Sequence, residues 1–307
     1  MSSVCVSCCG KSIISGEHAV LFGFPVVVMG INQKMEVKIT QTDNDVVKVN
    51  SNIFGNQEFI LTSNKKPKAW CEAICFLCKK LSNCGLEITI KSKILDWGFG
   101  SSGAVFSCIC CGLLLLENPK LTKTKLLKKT LELYFEHQNK SHKIGSGVDI
   151  ITSVIGGVVY YNKNKNVISK LDCGFFENIT CNAVYIGHKT STKEAFEVVK
   201  KTSNYQDVFA KIGKITDKIA LSVLHNKKSD FYDLIKDNQE QLTKLGLVDK
   251  ATKEILEMCK KQNLPAKISG SGLGDCVLVF GKNGKFGDYK NVEIKPDNQG
   301  LEFKFLD

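Results

Sequence analysis

Four short stretches hold residue types and spacings that could do chemistry. Gly98-Phe99-Gly100-Ser101-Ser102-Gly103-Ala104 runs straight into the apolar stretch Ala104–Leu116. Glycines let a backbone turn tightly and aim N–H donors inward. A helix opening at that point draws phosphate to its N-terminus, and a serine hydroxyl there can ligate Mg²⁺. The same spelling also suits a Gly-rich turn with serine N-caps. Gly10–Val20 carries Lys11, Glu17 and His18; by itself it reads as a strand and turn with a surface lysine. Gly145-Ser146-Gly147-Val148-Asp149 sets a carboxylate after Gly-Ser-Gly, which alone describes a helix N-cap. Lys267–Cys276 (KISGSGLGDC) alone describes a tight β-turn.

Elements must hold these stretches in place. Val4–Cys9 reads as a strand that runs into Gly10-Lys11 and the GEHAVLFG loop. Pro25–Ile31 is a fully apolar strand candidate, and Met35–Thr40 alternates as a half-buried strand does. Val46–Asn50, Glu58–Thr62 and Leu86–Ser92 read as further strands, with helical periodicity over Ala69–Leu81. Ala104–Leu116 is predicted as a buried helix and Thr122–His137 as a lysine-rich amphipathic one. A short helix opens at Asp149–Ser153, and Gly157–Tyr161 returns as a strand. Beyond the polar break Asn162–Asn166, a strand at Asn182–Ile186 precedes helices starting at Thr192 and spanning Ser203–Leu224, Phe231–Leu242 and Leu247–Gln262. An apolar strand follows the last Gly-rich stretch, and Val292–Ile294 and Leu301–Phe305 close the chain. The composition shift near Asn162–Asp172 sets the expected boundary between a domain at 1–167 and one at 168–307.

Composition narrows the classes. At 307 residues the chain fits one large or two modest domains, and 43% hydrophobic with 24% charged residues is a globular balance. All 42 basic residues are lysine, and the net charge is +11. Without arginine, anions must be held by lysine point charges and backbone N–H groups. The lysines are spread along the chain apart from a cluster around Lys120–Lys129, and no nucleic-acid signature accompanies them. The excess fits an anionic small-molecule substrate, not nucleic acid. No signal peptide opens the chain, so a reducing, cytoplasmic setting without disulfides is expected for its 14 cysteines. Cys5–Cys8 and Cys75–Cys78 have CxxC spacing, but the first lies in an apolar run and the second on one face of a predicted helix. Both read as small buried hydrophobes, not zinc ligands. The longest apolar stretch, 13 residues at Ala104–Leu116, falls short of the roughly 20 needed to span a bilayer.

Taken in order and at their spacing, the motifs resemble those of the GHMP kinases, the superfamily of galactokinase, homoserine kinase, mevalonate kinase and phosphomevalonate kinase. Gly10–Val20 resembles the family's GK–x–x–LxGEHAVVYG segment. Gly98–Ala104 resembles its PxGxGLGSSAA phosphate loop, with Asp96-Trp97 where the family often has proline. Lys267–Cys276 resembles its KxTGAGxGGC motif. The resemblance implies an α+β, two-domain fold: an N-terminal β/α phosphate-loop domain and a ferredoxin-like C-terminal domain, with the active site between them. It implies ATP and Mg²⁺ as cofactors. Gly98, Gly100, Ser101, Ser102, Gly103, Ala104, Gly270 and Gly272 would serve the nucleotide. Asp149 and Lys11 would be catalytic. Glu17, His18, Ser146 and Lys193 would meet the acceptor, with Lys143 a further candidate for its anionic group. The metal would be held by Ser102 and by Glu136; the position eleven residues before Asp149, where the family usually has its metal-binding glutamate, is Gln138. Many members dimerise, so a homodimer is expected.

The acceptor alcohol stays divided between two members. The uninterrupted GEHAVLFG with His18 resembles mevalonate kinases. Ser-Ser-Gly-Ala-Val at 101–105, Lys-Ile-Gly-Ser-Gly before Asp149 and Gly-Asp-Cys at 274–276 resemble phosphomevalonate kinases. The first motif is the one that touches the acceptor, which favours mevalonate. A non-catalytic ligand sensor on the same fold is the reading from another class. Mevalonate diphosphate decarboxylase fits less, because its acceptor-side motif differs from SGSGLGD.

Overall fold

The computed structural model describes residues 2–63, 65–142, 144–171 and 174–306. Its spine is a pair of long antiparallel strands, β1 (Ser3–Ser15) and β2 (Val26–Thr42). Residues 26–31 of β2 are all buried, whereas Met35, Val37 and Ile39 alternate with more exposed neighbours. The sequence separates these into two strands. They join because pairing with β1 resumes across Asn32-Gln33, after a register shift opposite Cys9/Gly10. β1 likewise runs on past the expected Val4–Cys9 through Lys11 to Ser15, just before the GEHAVLFG segment begins.

The first sheet adds β3 (Val46–Ser51), β4 (Gly55–Ile60) and β5 (Gly85–Ser92), with helix α1 (Glu72–Leu81) between β4 and β5. Later come β6 (Val158–Asn162), β7 (Val167–Leu171) and β12 (Glu302–Leu306). Its order is β12-β1-β2-β5-β3-β4, with β6 on the first part of β2 and β7 on β6. Helices α2 (Ser101–Glu117), α3 (Lys123–Lys140) and α4 (Val148–Ile155) pack beside it. α2 is buried all round from Gly103 to Leu115, as its lack of any polar face demands. Cys108, Cys110 and Cys111 fill it as small apolar side chains, and burial pushes the Cys110 thiol up to about 12. Among the described residues, no group of three or more His, Cys, Asp and Glu could hold a metal. Cys173 lies outside them.

The second sheet is antiparallel, order β11-β8-β10-β9, from β8 (Cys181–Tyr185), β9 (Ala266–Ser269), β10 (Cys276–Phe280) and β11 (Asn291–Ile294). The short turn α5 (Gly174–Glu177) precedes it. Helices α6 (Thr192–Val199), α7 (Tyr205–Leu224), α8 (Lys228–Lys244) and α9 (Lys250–Lys261) accompany it. The expected boundary at 167/168 needs correction at both ends of the second unit. The polar break Asn162–Asn166 is the turn of the β6–β7 hairpin, so residues 167–171 stay hydrogen-bonded in the first sheet. The last strand, β12, also returns to that sheet and covers the edge of β1. Among the described residues no helix is long and apolar enough to cross a membrane.

Candidate active site

The two sheets meet along β1 and β9. Ser12 Oγ lies 3.0 Å from Ser269 Oγ, whose hydroxyl also accepts the Ile13 N–H at 3.1 Å. Beneath this seam Lys267 of β9 and Glu17 are both fully buried and form an ion pair. Burial raises the Glu17 carboxyl and lowers the Lys267 ammonium, and their mutual attraction opposes both shifts. Above the seam opens a cleft of about 500 Å³, lined from one unit by Lys11, His18, Gly98–Ser102, Tyr134, Ser146 and Asp149. Lys189, Thr190, Gly270, Ser271 and Asp275 line it from the other.

Lys11 ties three elements together. Its backbone N–H donates to Phe99 O at 2.8 Å. Its ammonium donates to Gly98 O at 3.2 Å and pairs with Asp149 Oδ1 at 3.6 Å. The side chain is 9% exposed while that of Asp149 is 37% exposed, so the cation is embedded and the carboxylate faces the cleft. The register shift beside Gly10 re-aims the strand at this point, a common use of bulges beside active sites.

The Gly-rich loop enters α2 through Gly100, which sits in the left-handed region as N-cap. Ser101 and Ser102 form the first turn and line the cleft. First-turn N–H groups have no intrahelical acceptor and so face an incoming anion. Gly103 serves by absence: a Cβ there would lie 2.6 Å from the Asp149 Cβ, so glycine lets α4 bring its acid against α2. Asp149 itself stands in the first turn of α4, after Gly147 in the left-handed region. Ser146 lines the cleft and its hydroxyl accepts the Val148 N–H at 3.3 Å.

His18 also adopts a left-handed backbone, φ 55°. Its Nε2 lies 2.7 Å from Ser271 O. A carbonyl only accepts, so Nε2 carries the proton and Nδ1 is left as a buried lone pair without a partner among the described residues. Burial lowers the imidazole below its ordinary range, which keeps the ring neutral.

Several expectations need correction. Glu17 does not line the cleft; it is committed to Lys267 below. Glu136 faces away, held by Lys80 at 2.8 Å and Lys140 at 2.9 Å, and these hydrogen bonds, Lys80 first, hold its carboxyl low. The side chain that α3 presents to the cleft is Tyr134, two residues earlier. Lys193 is exposed on the first turn of α6 and outside the cleft lining. The capping box of Ser191 and Glu194 fixes where that helix starts, and Lys189, just before it, reaches the cleft instead. Ala104 spends its N–H on Gly100 O at 3.1 Å. Gly272 packs against Leu247, outside the lining. Lys143 lies outside the described residues.

Sequence reasoning passed over Lys189, Tyr134 and Asp275. Only Asp275 left a signal, as the residue that departs from the glycine of the third motif. The donor set fits a divalent cation that arrives on a phosphate chain. Mg²⁺ is usually held by one or two carboxylates plus substrate phosphates, not by an all-protein cage. The cleft offers the Ser102 hydroxyl, Asp149 and Asp275, whose buried Oδ1 lacks a hydrogen-bond partner among the described residues.

Comparison with known proteins matches this arrangement. Residues 68–157 match the family model for the GHMP kinases N terminal domain, and residues 220–285 that for GHMP kinases C terminal. The chain is 26% identical to a mevalonate kinase of Methanocaldococcus jannaschii, over 88% of this chain and 89% of that one. The crystal structure of the Methanococcus jannaschii mevalonate kinase superposes with a TM-score of 0.80 at 23% identity, over 96% and 98% of the two chains. A Lactococcus lactis galactokinase complexed with galactose superposes with a TM-score of 0.81 at 14% identity, over 98% and 95%. At that identity the likeness speaks for the fold alone, and one fold serves different substrates. With both family models in order on one chain, and the Gly-rich loop, embedded lysine and facing carboxylate joined in one cleft, the chain belongs to the GHMP kinases.

Proposed function

We propose that the chain transfers the γ-phosphate of ATP to the hydroxyl of mevalonate. The observation that carries this reading is the Lys11–Asp149 pair set against the N-terminus of α2. Phosphoryl transfer asks for positioning and charge neutralisation more than for covalent chemistry, and this constellation supplies both. The loop amides and the α2 N-terminus would bind the phosphates, and Ser102 would help hold the Mg²⁺ they carry. Bound ATP supplies the electrophilic phosphoryl group. Asp149, exposed to the cleft, accepts the acceptor's hydroxyl proton. Lys11, held in place by Gly98 O, offsets charge that develops on the transferring oxygens. His18, which lines the cleft, borders the acceptor, and Lys189 draws the acceptor's carboxylate. The chain would work in the cytoplasm.

The mevalonate assignment rests on the uninterrupted GEHAVLFG segment and on the name shared by relatives matched over 89% and 90% of their length. The Gly-Asp-Cys of the third motif and the GSGVD segment favour 5-phosphomevalonate as the second reading. A coupled ADP-release assay offers mevalonate, 5-phosphomevalonate, homoserine and galactose in parallel. Turnover with mevalonate alone is expected. Turnover with 5-phosphomevalonate alone would shift the assignment to the second reading. Silence with all four, with ATP still bound, would favour a ligand sensor.

A further inference from the structure

Asp275 is costly in two ways. Its backbone lies in the left-handed region at φ 61°, where the family motif's glycine would be unstrained. Its side chain is also buried, at 6% exposure, and a buried carboxylate without a counter-charge carries a large desolvation penalty. The conformation is fixed from both sides. The Asp275 N–H donates to His188 O at 2.9 Å, and its carbonyl accepts the Ile186 N–H at 3.0 Å.

The carboxyl group therefore rests on the Gly-rich loop. A Cβ on Gly98 would lie 2.6 Å from the Asp275 Cγ, so the first glycine of the loop is the seat for this acid. Among the described residues the carboxylate makes no ion pair, and Oδ1 has no hydrogen-bond partner. The lysines whose charge reaches it are engaged elsewhere: Lys189 with Asp96, and Lys11 with Asp149 and Gly98 O. His188, also close by, pairs with Asp249 at 2.9 Å. A negative group beside a loop built to hold phosphates would repel them, unless a cation stands between. On the opposite wall, α3 brings no carboxylate to the cleft, because Glu136 is held by Lys80 and Lys140.

We infer that Asp275 is a direct carboxylate ligand of the divalent cation that accompanies the nucleotide, in place of a glutamate from α3. The inference rests on the phosphotransfer reading above. It moves the metal's protein carboxylate from the helical wall to the second sheet, so the metal–nucleotide complex bridges both units.

The test is a Mn²⁺ titration followed by electron paramagnetic resonance, with ADP present, on wild type, Asp275→Asn and Glu136→Gln. ADP affinity in EDTA and urea unfolding are measured on the same proteins. Asp275→Asn is expected to weaken Mn²⁺ in the ternary complex about tenfold or more. Metal-free ADP should bind as well or better, and the fold should be no less stable, since a buried charge has been removed. Glu136→Gln should bind Mn²⁺ as wild type does. Wild-type Mn²⁺ affinity in Asp275→Asn, or a loss confined to Glu136→Gln, would overturn the inference and leave the kinase reading standing. Wild-type protein that binds no ADP would overturn both.

Discussion

At the scale of the residue, Lys11 and His18 can each be probed without dismantling the fold. Lys11 is embedded, but its neighbours are a backbone carbonyl and a carboxylate open to the cleft. Lys11→Met keeps the length of the stem and removes the charge. It should lower kcat by about 10²–10³, the loss typical of a positioned electrostatic group, with an unchanged circular-dichroism spectrum. Near-normal turnover would remove Lys11 from the mechanism. His18 offers a test by pH. Burial lowers its pKa in the folded chain, so below the ordinary histidine value of about 6.5 the unfolded chain binds the extra proton first. Stability is therefore full above that value and declines as pH falls through it toward the lowered folded value. His18→Asn keeps a residue type enriched at positive φ but has no imidazole. Its urea midpoint should fall less between pH 7 and pH 5 than that of wild type; equal slopes would show that the ring does not titrate as described.

At the scale of the element, the site depends on how closely two helix N-termini approach. α2 and α4 open side by side, and the contact between them is a glycine against an aspartate. Gly103→Ala introduces a methyl where the Asp149 Cβ already stands. Overpacking of a tight contact costs about 1–3 kcal/mol, and Asp149 must shift. A misplacement near 1 Å can cost about 10²-fold in rate, so kcat should fall far more than stability, as read by steady-state kinetics beside thermal unfolding. A variant that lost stability and kept its kcat would show that the contact only packs. The closeness of these helices is partly legible beforehand: Gly-rich turns before apolar runs mark both. The side each helix presents is not. Glu136 and Tyr134 are two residues apart on α3, and packing against α1 and α2, not local spelling, decided which one reached the cleft.

At the scale of the whole molecule, the two sheets are joined by a buried polar seam. Glu17 follows β1 and Lys267 lies on β9, both fully buried. Around them Ser12 meets Ser269, Ser15 meets Thr216 at 2.7 Å, and His18 meets Ser271 O. Breaking one side of a buried ion pair strands the other charge, which costs about 3–5 kcal/mol. Glu17→Gln should show that loss in urea unfolding, and the activity that remains should have a raised KM for the acceptor, because His18 is the next residue along the chain. A double variant, Glu17→Gln with Lys267→Met, should recover much of the stability. Failure of the second substitution to recover any would mean the stranded lysine was not the source of the loss.

The sequence by itself determined the chemistry available and the order in which it occurs. Lysine as the basic residue throughout, the Gly-rich loop before an unbroken apolar helix, Gly-Ser-Gly before Asp149 and the final Gly-rich turn are local spellings, and local geometry follows from them. The helices and strands around them were also legible, because periodicity depends on neighbours in the chain. Tertiary structure alone decided the rest, since it depends on partners far along the chain. It turned β1 and β2 into one continuous pair and returned β12 to the first sheet. It sent Glu17 and Glu136 away from the cleft and brought Lys189 and Asp275 into it. A carboxylate becomes a site residue or half of an ion pair according to which charge folding sets beside it, and residues as far apart as 17 and 267 meet only once both sheets have formed.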